Sequence, residues 1–270
     1  MMTAYEKLKA VRSSSRPTAA DYISRLFTDR VELSGDRRYG DDTAITAGIG
    51  FLDRAPVTYI AIEKGKDINS RMRNHFGCPQ PEGYRKALRL MKEAEKFNRP
   101  VVCIVDTLGA YCGAEAEERG QGQAIAENIL ELTRLQTPTL SIVIGEGGSG
   151  GALALCTTDR VYMLENACYS VISPEGCASI LWKDAARVSD AADALRITAQ
   201  DMYKFGVAEK VFSETFADFD SMCRDIGRRM SSDIKALRSL SREKLLTERY
   251  NRFRKFGVYE ENGVTCGTAL

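Results

Sequence analysis

From residue 81 onward, amphipathic segments alternate with short continuous apolar runs, and no other feature of the sequence narrows the choice of fold so far. Glu82–Phe97 carries Tyr84, Ala87, Leu88, Met91 and Ala94 at helical spacing. Val101–Val105 follows as an unbroken apolar run, as expected of a strand buried on both faces. Ala116–Leu135 reads as one helix and Thr139–Ile144 as a second buried strand, and a third helix is expected from Gly148 to Cys156. Val161–Leu164, Tyr169–Ile172 and Val207–Phe212 read as further strands, and Ser173–Pro174 supplies an N-cap and first turn for a helix through Trp182. Alternation of this kind implies an α/β protein on a largely parallel sheet.

Outside that stretch the signals are plainer. Thr18, with Asp21 three residues on, opens a helix whose stripe is Tyr22, Ile23, Leu26 and Phe27. Ala44–Leu52 and Val57–Ile62 read as strands joined by a turn at Asp53–Pro56. Residues 63–80 are polar and punctuated by Gly and Pro, so a long loop is expected there, of the kind usually kept for function. Phe216, Phe219, Met222, Ile226 and Met230 mark a long amphipathic helix, and Leu246, Tyr250 and Phe253 another. The expected organisation is an N-terminal helical segment (1–43), a core (44–212) and a C-terminal helical appendage (213–270), all within one domain. The appendage packs on that core or on a partner.

Composition excludes several classes. A net charge of +1 over 270 residues gives no global field for nucleic acid or a membrane surface. No apolar stretch approaches the ~20 residues of a membrane span, and the first residues lack a signal-peptide core. A soluble, cytoplasmic protein is expected, with no nucleic-acid or membrane partner. The eight cysteines form no C-x-x-C pair and His75 is the single histidine, so free thiols and no metal are expected.

Gly145-Glu146-Gly147-Gly148-Ser149-Gly150-Gly151 follows a buried strand and opens a helix. Clustered backbone N–H groups there suit an anion or a developing oxyanion, whereas the plainer use is close packing. Two other motifs fit the same string. Gly145, Gly147 and Gly150 satisfy G-x-G-x-x-G, with Glu165 about twenty residues on. The helix is short for that role, however, and two strands and two helices precede it. Gly147, Ser149 and Gly151 satisfy G-x-S-x-G, but that elbow needs a later histidine and none follows His75. What remains is a turn that stabilises an enolate or oxyanion, each donor worth ~3 kcal/mol in the transition state.

The strings SGDRRYGDD (34–42), HFGCPQPEGYRKALRLMKEAEKF (75–97), DTLGAYCG (106–113), AEERGQGQAIAENI (116–129), IGEGGSGGALAL (144–155) and YSVISPEGCASILWK (169–183) resemble the alpha subunit of bacterial acetyl-CoA carboxylase carboxyltransferase. The resemblance covers about residues 16–212. It implies a crotonase-like (ClpP/crotonase) fold of repeated ββα units. It further implies a carboxyltransferase that works with a beta subunit, as an alpha2beta2 assembly, with the active site at their interface. The carboxyl group of carboxybiotin, on a separate biotin carboxyl carrier protein, would pass to acetyl-CoA to give malonyl-CoA, the first committed step of fatty acid synthesis. ATP would be used only by the separate biotin carboxylase component.

The residues matching the family's biotin oxyanion donors are Gly147 and Gly148; Gly113 and Ala114 read either as a second donor or as a tight strand-to-helix connection. The beta subunit would carry the thioester enolate site and the zinc ribbon. The chain departs from the family at Leu108 and Cys112, where proline is common, and at Ser213–Asp218, which replaces a Gly-Gly-Ala-His stretch. Lys64, Lys66, Arg71 and Arg73 read as a solvated loop or as a contact to a CoA phosphate or the carrier protein. The main rival is a stand-alone crotonase-type hydratase, isomerase or thioesterase, for which Glu117, Glu118 or Glu175 would have to move protons. A non-catalytic scaffold subunit is the other.

Overall fold

In the computed structural model of the chain, residues 2–257, 259–261 and 264–266 are described. Strands β2 (Ile45–Leu52) and β3 (Ala55–Ile62) form an antiparallel hairpin in register from Ile45↔Ile62 to Leu52↔Ala55. Its two-residue turn puts Asp53 and Arg54 at φ 48° and 64°, the left-handed pair that matches strand twist. Beyond the hairpin the sheet is parallel: β3 pairs with β4 (Val101–Thr107), β4 with β5 (Thr139–Gly148), β5 with β6 (Arg160–Leu164), and β6 with β8 (Lys210–Phe212). A short β7 (Cys168–Ser170) extends the carboxyl end of β5. Every residue of β4 is buried, as its unbroken apolar run requires.

The N-terminal stretch is more than helical. After α1 (Ala4–Val11) and α2 (Ala19–Leu26), strand β1 (Thr28–Glu32) pairs antiparallel with β2 as the sheet edge. All five of its residues are exposed, so it lacks the alternation that betrays a half-buried strand. The Asp21 carboxylate accepts from the Thr18 N–H at 2.8 Å, as the capping pattern requires.

The expected loop at 63–80 contains α3 (Ile68–Arg73), capped by the Asp67 carboxylate accepting from the Asn69 and Ser70 N–H groups, and a 3-10 turn at His75–Gly77. Helix α4 (Pro81–Lys96) comes next. The helix expected from Ala116 to Leu135 is two helices, α5 (Ala114–Glu118) and α6 (Gln121–Arg134). Gly120, at φ 82°, separates them, a conformation glycine adopts at little cost. Likewise β5 runs on through Gly148, so α7 begins at Ser149 and ends at Cys156. α8 (Pro174–Trp182) has the expected cap, Ser173 Oγ accepting from the Gly176 N–H at 3.1 Å. α9 (Val188–Ala194) and α10 (Ala199–Lys204) lead into β8.

Helices α11 (Phe219–Arg238) and α12 (Arg242–Arg254) pack on the chain's own core. Met222, Cys223, Ile226, Met230, Ile234, Leu237 and Leu245 join the main apolar cluster, and full burial of such a side chain contributes roughly 1.5–3 kcal/mol. The inward face of α12 is not the one the apolar spacing suggests. Tyr250 is 63% exposed, while Leu245 and Arg249 are buried. An ion pair with Asp159 turns Arg249 inward. The seven described cysteines are free, and the Cys266 side chain lies outside the described residues. Among the described residues no helix is long and apolar enough to cross a membrane.

Candidate active site at the carboxyl ends of the central strands

β4 and β5 keep parallel register to Val105↔Val143, and the next pair is Thr107↔Gly147. Asp106 alone on β4 therefore faces Ile144, Gly145 and Glu146 on β5. Extra residues of this kind bend a strand and re-aim the backbone beyond them. Here the re-aimed backbone is Gly147–Gly148, at the floor of a cleft of about 600 Å³. The carboxyl ends of parallel strands are where open α/β sheets bind ligands.

The glycines are needed by their surroundings. A Cβ on Gly148 would stand 2.0 Å from the Leu108 carbonyl oxygen, and one on Gly151 2.5 Å from Ala110 N. The loop after β4 thus lies backbone to backbone against the turn. A Cβ on Gly147 would meet the Tyr169 ring at 2.8 Å. Gly150 has room, its nearest neighbour being Ile125 Cγ2 at 3.5 Å, so the third glycine of the dinucleotide pattern has no packing duty here. Close packing and a donor role do not compete; the same absence of side chains permits both.

The structure separates the other expected pair from this cleft. Gly113 precedes α5, its carbonyl accepts from the Ala116 and Glu117 N–H groups, and neither Gly113 nor Ala114 lines the cleft. The residues of that loop which do reach the turn are Thr107 to Ala110. Their signal in the sequence was the first glycine of DTLGAYCG, Gly109, which adopts φ 149°. Of the two departures in this loop, Leu108 is 48% exposed and lines the cleft, and Cys112 is exposed away from it.

Charge lines the cleft in a paired form. Lys64 Nζ lies 2.8 Å from Asp106 Oδ1 and 3.5 Å from Glu146 Oε1. Arg12 donates to Glu146 Oε2 from Nε and a terminal nitrogen at 3.1 and 3.0 Å, and to Glu175 at 2.6 Å. Burial opposes the Lys64 charge, but Asp106 and Glu146 outweigh it and raise the ammonium's pKa. Burial likewise opposes the Glu175 charge, and the Arg12 bond nonetheless holds that carboxyl below its usual range. Arg16 forks onto Glu214 at 2.6 and 2.7 Å and donates to Ile144 O at 2.8 Å. The divergent Ser213–Asp218 segment therefore buttresses the cleft through Glu214.

Lys64 and Glu175 were among the sequence candidates, whereas Asp106 and Glu146 were missed, although each left a trace. Asp106 ends a buried strand and Glu146 interrupts a glycine run, and both are charges where neighbours are apolar or bare. Of the basic cluster, Lys64 and Arg71 line the cleft, the Arg71 Nε donating to Gly65 O at 3.2 Å. Lys66 pairs with Asp21 at 2.6 Å, and Arg73 is exposed.

No group here is poised to move a proton from carbon. The three cleft carboxylates, Asp106, Glu146 and Glu175, are ion-paired, and Glu117 and Glu118 lie outside the cleft on α5. Ser149 is exposed beside the turn at φ 51°. Its missing base is not supplied by His75, which lies outside the cleft with Nε2 2.9 Å from the Gln80 amide nitrogen. Among the described residues no cluster of His, Cys, Asp and Glu could hold a metal ion.

The chain matches the profile of the acetyl co-enzyme A carboxylase carboxyltransferase-like family over residues 1–257. It is 56% identical over 257 residues to acetyl-coenzyme A carboxylase carboxyl transferase subunit alpha of Ruminiclostridium cellulolyticum, covering 95% of this chain and 99% of that one. It is 50% identical over 263 residues to the carboxyl transferase subunits beta/alpha of Clostridium tetani, covering 96% of this chain and 46% of that one. Among solved structures it resembles transcarboxylase 12S (TM-score 0.67, 19% identity, 84% of this chain and 44% of that one). It also resembles a chain of a Pseudomonas malonate decarboxylase hetero-tetramer (TM-score 0.64, 18% identity, 80% of this chain and 89% of that one). The chain spans about half the length of the transcarboxylase chain, and at these identities the likeness is one of fold, the crotonase type. With the family profile and the relatives agreeing along almost its whole length, the chain belongs to the acetyl-CoA carboxylase carboxyltransferase alpha-subunit family.

Proposed function

We propose that this chain is the alpha half of a carboxyltransferase that passes the carboxyl group of carboxybiotin, borne on a carrier protein, to acetyl-CoA to give malonyl-CoA. The observation that carries the reading is the cleft itself. Its floor is bare main chain at Gly147–Gly148, and its carboxylates are all tied up in ion pairs. Such a site stabilises charge through backbone donors and leaves proton transfer to the reactants. That arrangement disfavours the stand-alone hydratase or thioesterase, which needs a free acid or base.

The residues fit a biotin ring. The cleft has the room, side chains are excluded from its floor by the contacts of Gly147 and Gly148, and Phe76, Leu108 and Ile172 give it apolar walls. The biotin ureido group, when bound, supplies the nitrogen that carries the carboxyl and the oxygen on which negative charge develops. In this reading the Gly147 and Gly148 N–H groups meet that oxygen. Lys64 and Arg12 hold the turn's flanks and offset their carboxylates. The thioester site is supplied by a beta-type partner in an alpha2beta2 assembly; the beta/alpha chain of the Clostridium tetani relative supports that pairing.

Mixing tests the proposal. The purified chain alone should show no carboxyl transfer between malonyl-CoA and free biotin, and addition of a beta-type subunit should produce it. Robust transfer by the isolated chain would overturn the division of labour.

A further inference from the structure

We infer that Asp106 is a positioning residue for carboxyl transfer, fixing the direction of the Gly147 and Gly148 peptides through the Glu146 N–H. The inference rests on the reading of those glycines as donors. Three independent observations converge on this one side chain. The β4–β5 register lapses opposite it, with Asp106 facing three residues of β5. Its Oδ1 accepts from the Glu146 N–H at 2.9 Å, so the carboxylate takes the place of a strand partner at the lapse. A Cβ on Gly145 would stand 2.3 Å from the same Oδ1, so residue 145 is bare because this carboxylate occupies its side-chain space.

The charge is compensated where it sits. Lys64 donates to Asp106 Oδ1 at 2.8 Å, which offsets the cost of keeping a largely buried carboxylate ionised. Arg12 grips the far end of Glu146 at 3.0 and 3.1 Å. Glu146 is thus pinned at its N–H by Asp106 and at its carboxylate by Arg12, and the next planar peptide is that of Gly147. A turn freed at Glu146 would let that plane rotate, and a misplacement of about 1 Å at a reacting centre costs on the order of 100-fold in rate.

The test uses the chain assembled with its beta-type partner, as wild type, Asp106→Asn, Asp106→Ala and the double variant Asp106→Ala/Gly145→Ala. Steady-state transfer gives kcat and KM, and amide hydrogen exchange is read on the peptide spanning 145–148. Asp106→Ala should lower kcat by about 100-fold with KM for malonyl-CoA within about threefold, and should speed exchange across the turn. Asn keeps an oxygen that accepts from the Glu146 N–H, so Asp106→Asn should recover about tenfold or more of the lost kcat. Were Asp106 only a counter-ion for Lys64, Asn would be no better than Ala, and that result would overturn the inference. If Asp106→Ala does not fold, the double variant fills the vacated space with a methyl group and should show the same loss of kcat. A folded Asp106→Ala or double variant with wild-type kcat and exchange would also sink the inference, leaving the carboxyltransferase reading intact. A wild-type complex without transfer would instead sink that reading and, with it, the role given to Asp106.

Discussion

Two ion pairs sit at opposite ends of the same sheet and are built differently. At the amino ends of β5 and β6, Arg249 and Asp159 are 1% and 2% exposed. Arg249 makes five hydrogen bonds: two to Asp159 at 2.7 and 2.8 Å, and three to the Leu132, Leu135 and Thr137 carbonyls at 2.9, 2.6 and 3.1 Å. Asp159 Oδ2 also accepts from the Thr139 N–H at 2.8 Å and hydroxyl at 3.0 Å. At the carboxyl ends, the Lys64, Asp106 and Glu146 side chains are 14%, 12% and 9% exposed, and Glu146 Oε1 has no hydrogen-bond partner. One pair is saturated and ties the C-terminal helices to the sheet. The other is left with spare capacity beside a cleft. The fully bonded pair lies at one end of the strands, and the partly bonded cluster lies beside the cleft at the other.

The largest expected effect breaks the saturated end. Arg249→Met leaves Asp159 charged and uncompensated, so equilibrium unfolding in denaturant should show a loss of about 3–5 kcal/mol. Lys64→Met, in a wetter cluster, should cost about 1–3 kcal/mol while lowering transfer far more than Arg249→Met does in the still-folded complex. Equal losses of stability, with equal effects on kcat, would erase the distinction between the two ends.

A smaller effect sharpens the boundary within the turn. Gly148→Ala should destabilise by about 1–3 kcal/mol, since its methyl meets the Leu108 carbonyl, a backbone group that cannot swing aside. Valine at 148 would carry a branched side chain into the same 2.0 Å approach and should destabilise the fold further. Gly150→Ala, two residues on in α7, should be neutral or stabilising by about 0.5–1 kcal/mol. Ser149→Ala should leave kcat within about twofold, because no base makes that hydroxyl a nucleophile.

Much of the fold was legible because burial writes itself into periodicity. The apolar runs gave β4, most of β5 and β6, and the caps gave the starts of α2 and α8. Two of the misses share a cause: β1 is an exposed edge, and α12 turns a charged residue inward for one carboxylate, each decided by a tertiary contact that local pattern does not carry. α3 is a short polar helix set by its local Asp67 cap, with no apolar stripe to mark it. In the site, the glycine string pointed to the cleft, but which loop lies against it was not readable. Gly113–Ala114 and Leu108–Ala110 belong to one short segment, and only the strand register shows that the earlier residues reach the turn. The bracing by Lys64, Asp106 and Arg12 joins segments from 12 to 146, a separation that no spacing rule spans.

In the proposed mechanism, main-chain donors in the glycine turn, rather than side chains, stabilise the developing charge. Because any side chain at Gly148 disturbs Leu108, the donor has to be removed without adding one. Replacing Gly148 by glycolic acid exchanges the Gly147–Gly148 amide for an ester, deleting a single N–H and leaving no new atom to clash. In the assembled complex, with thermal unfolding and subunit stoichiometry as controls, the ester should lower kcat for carboxyl transfer by about 100–1,000-fold, the cost of one oxyanion donor. A folded, assembled ester variant that turns over at the wild-type rate would contradict the account.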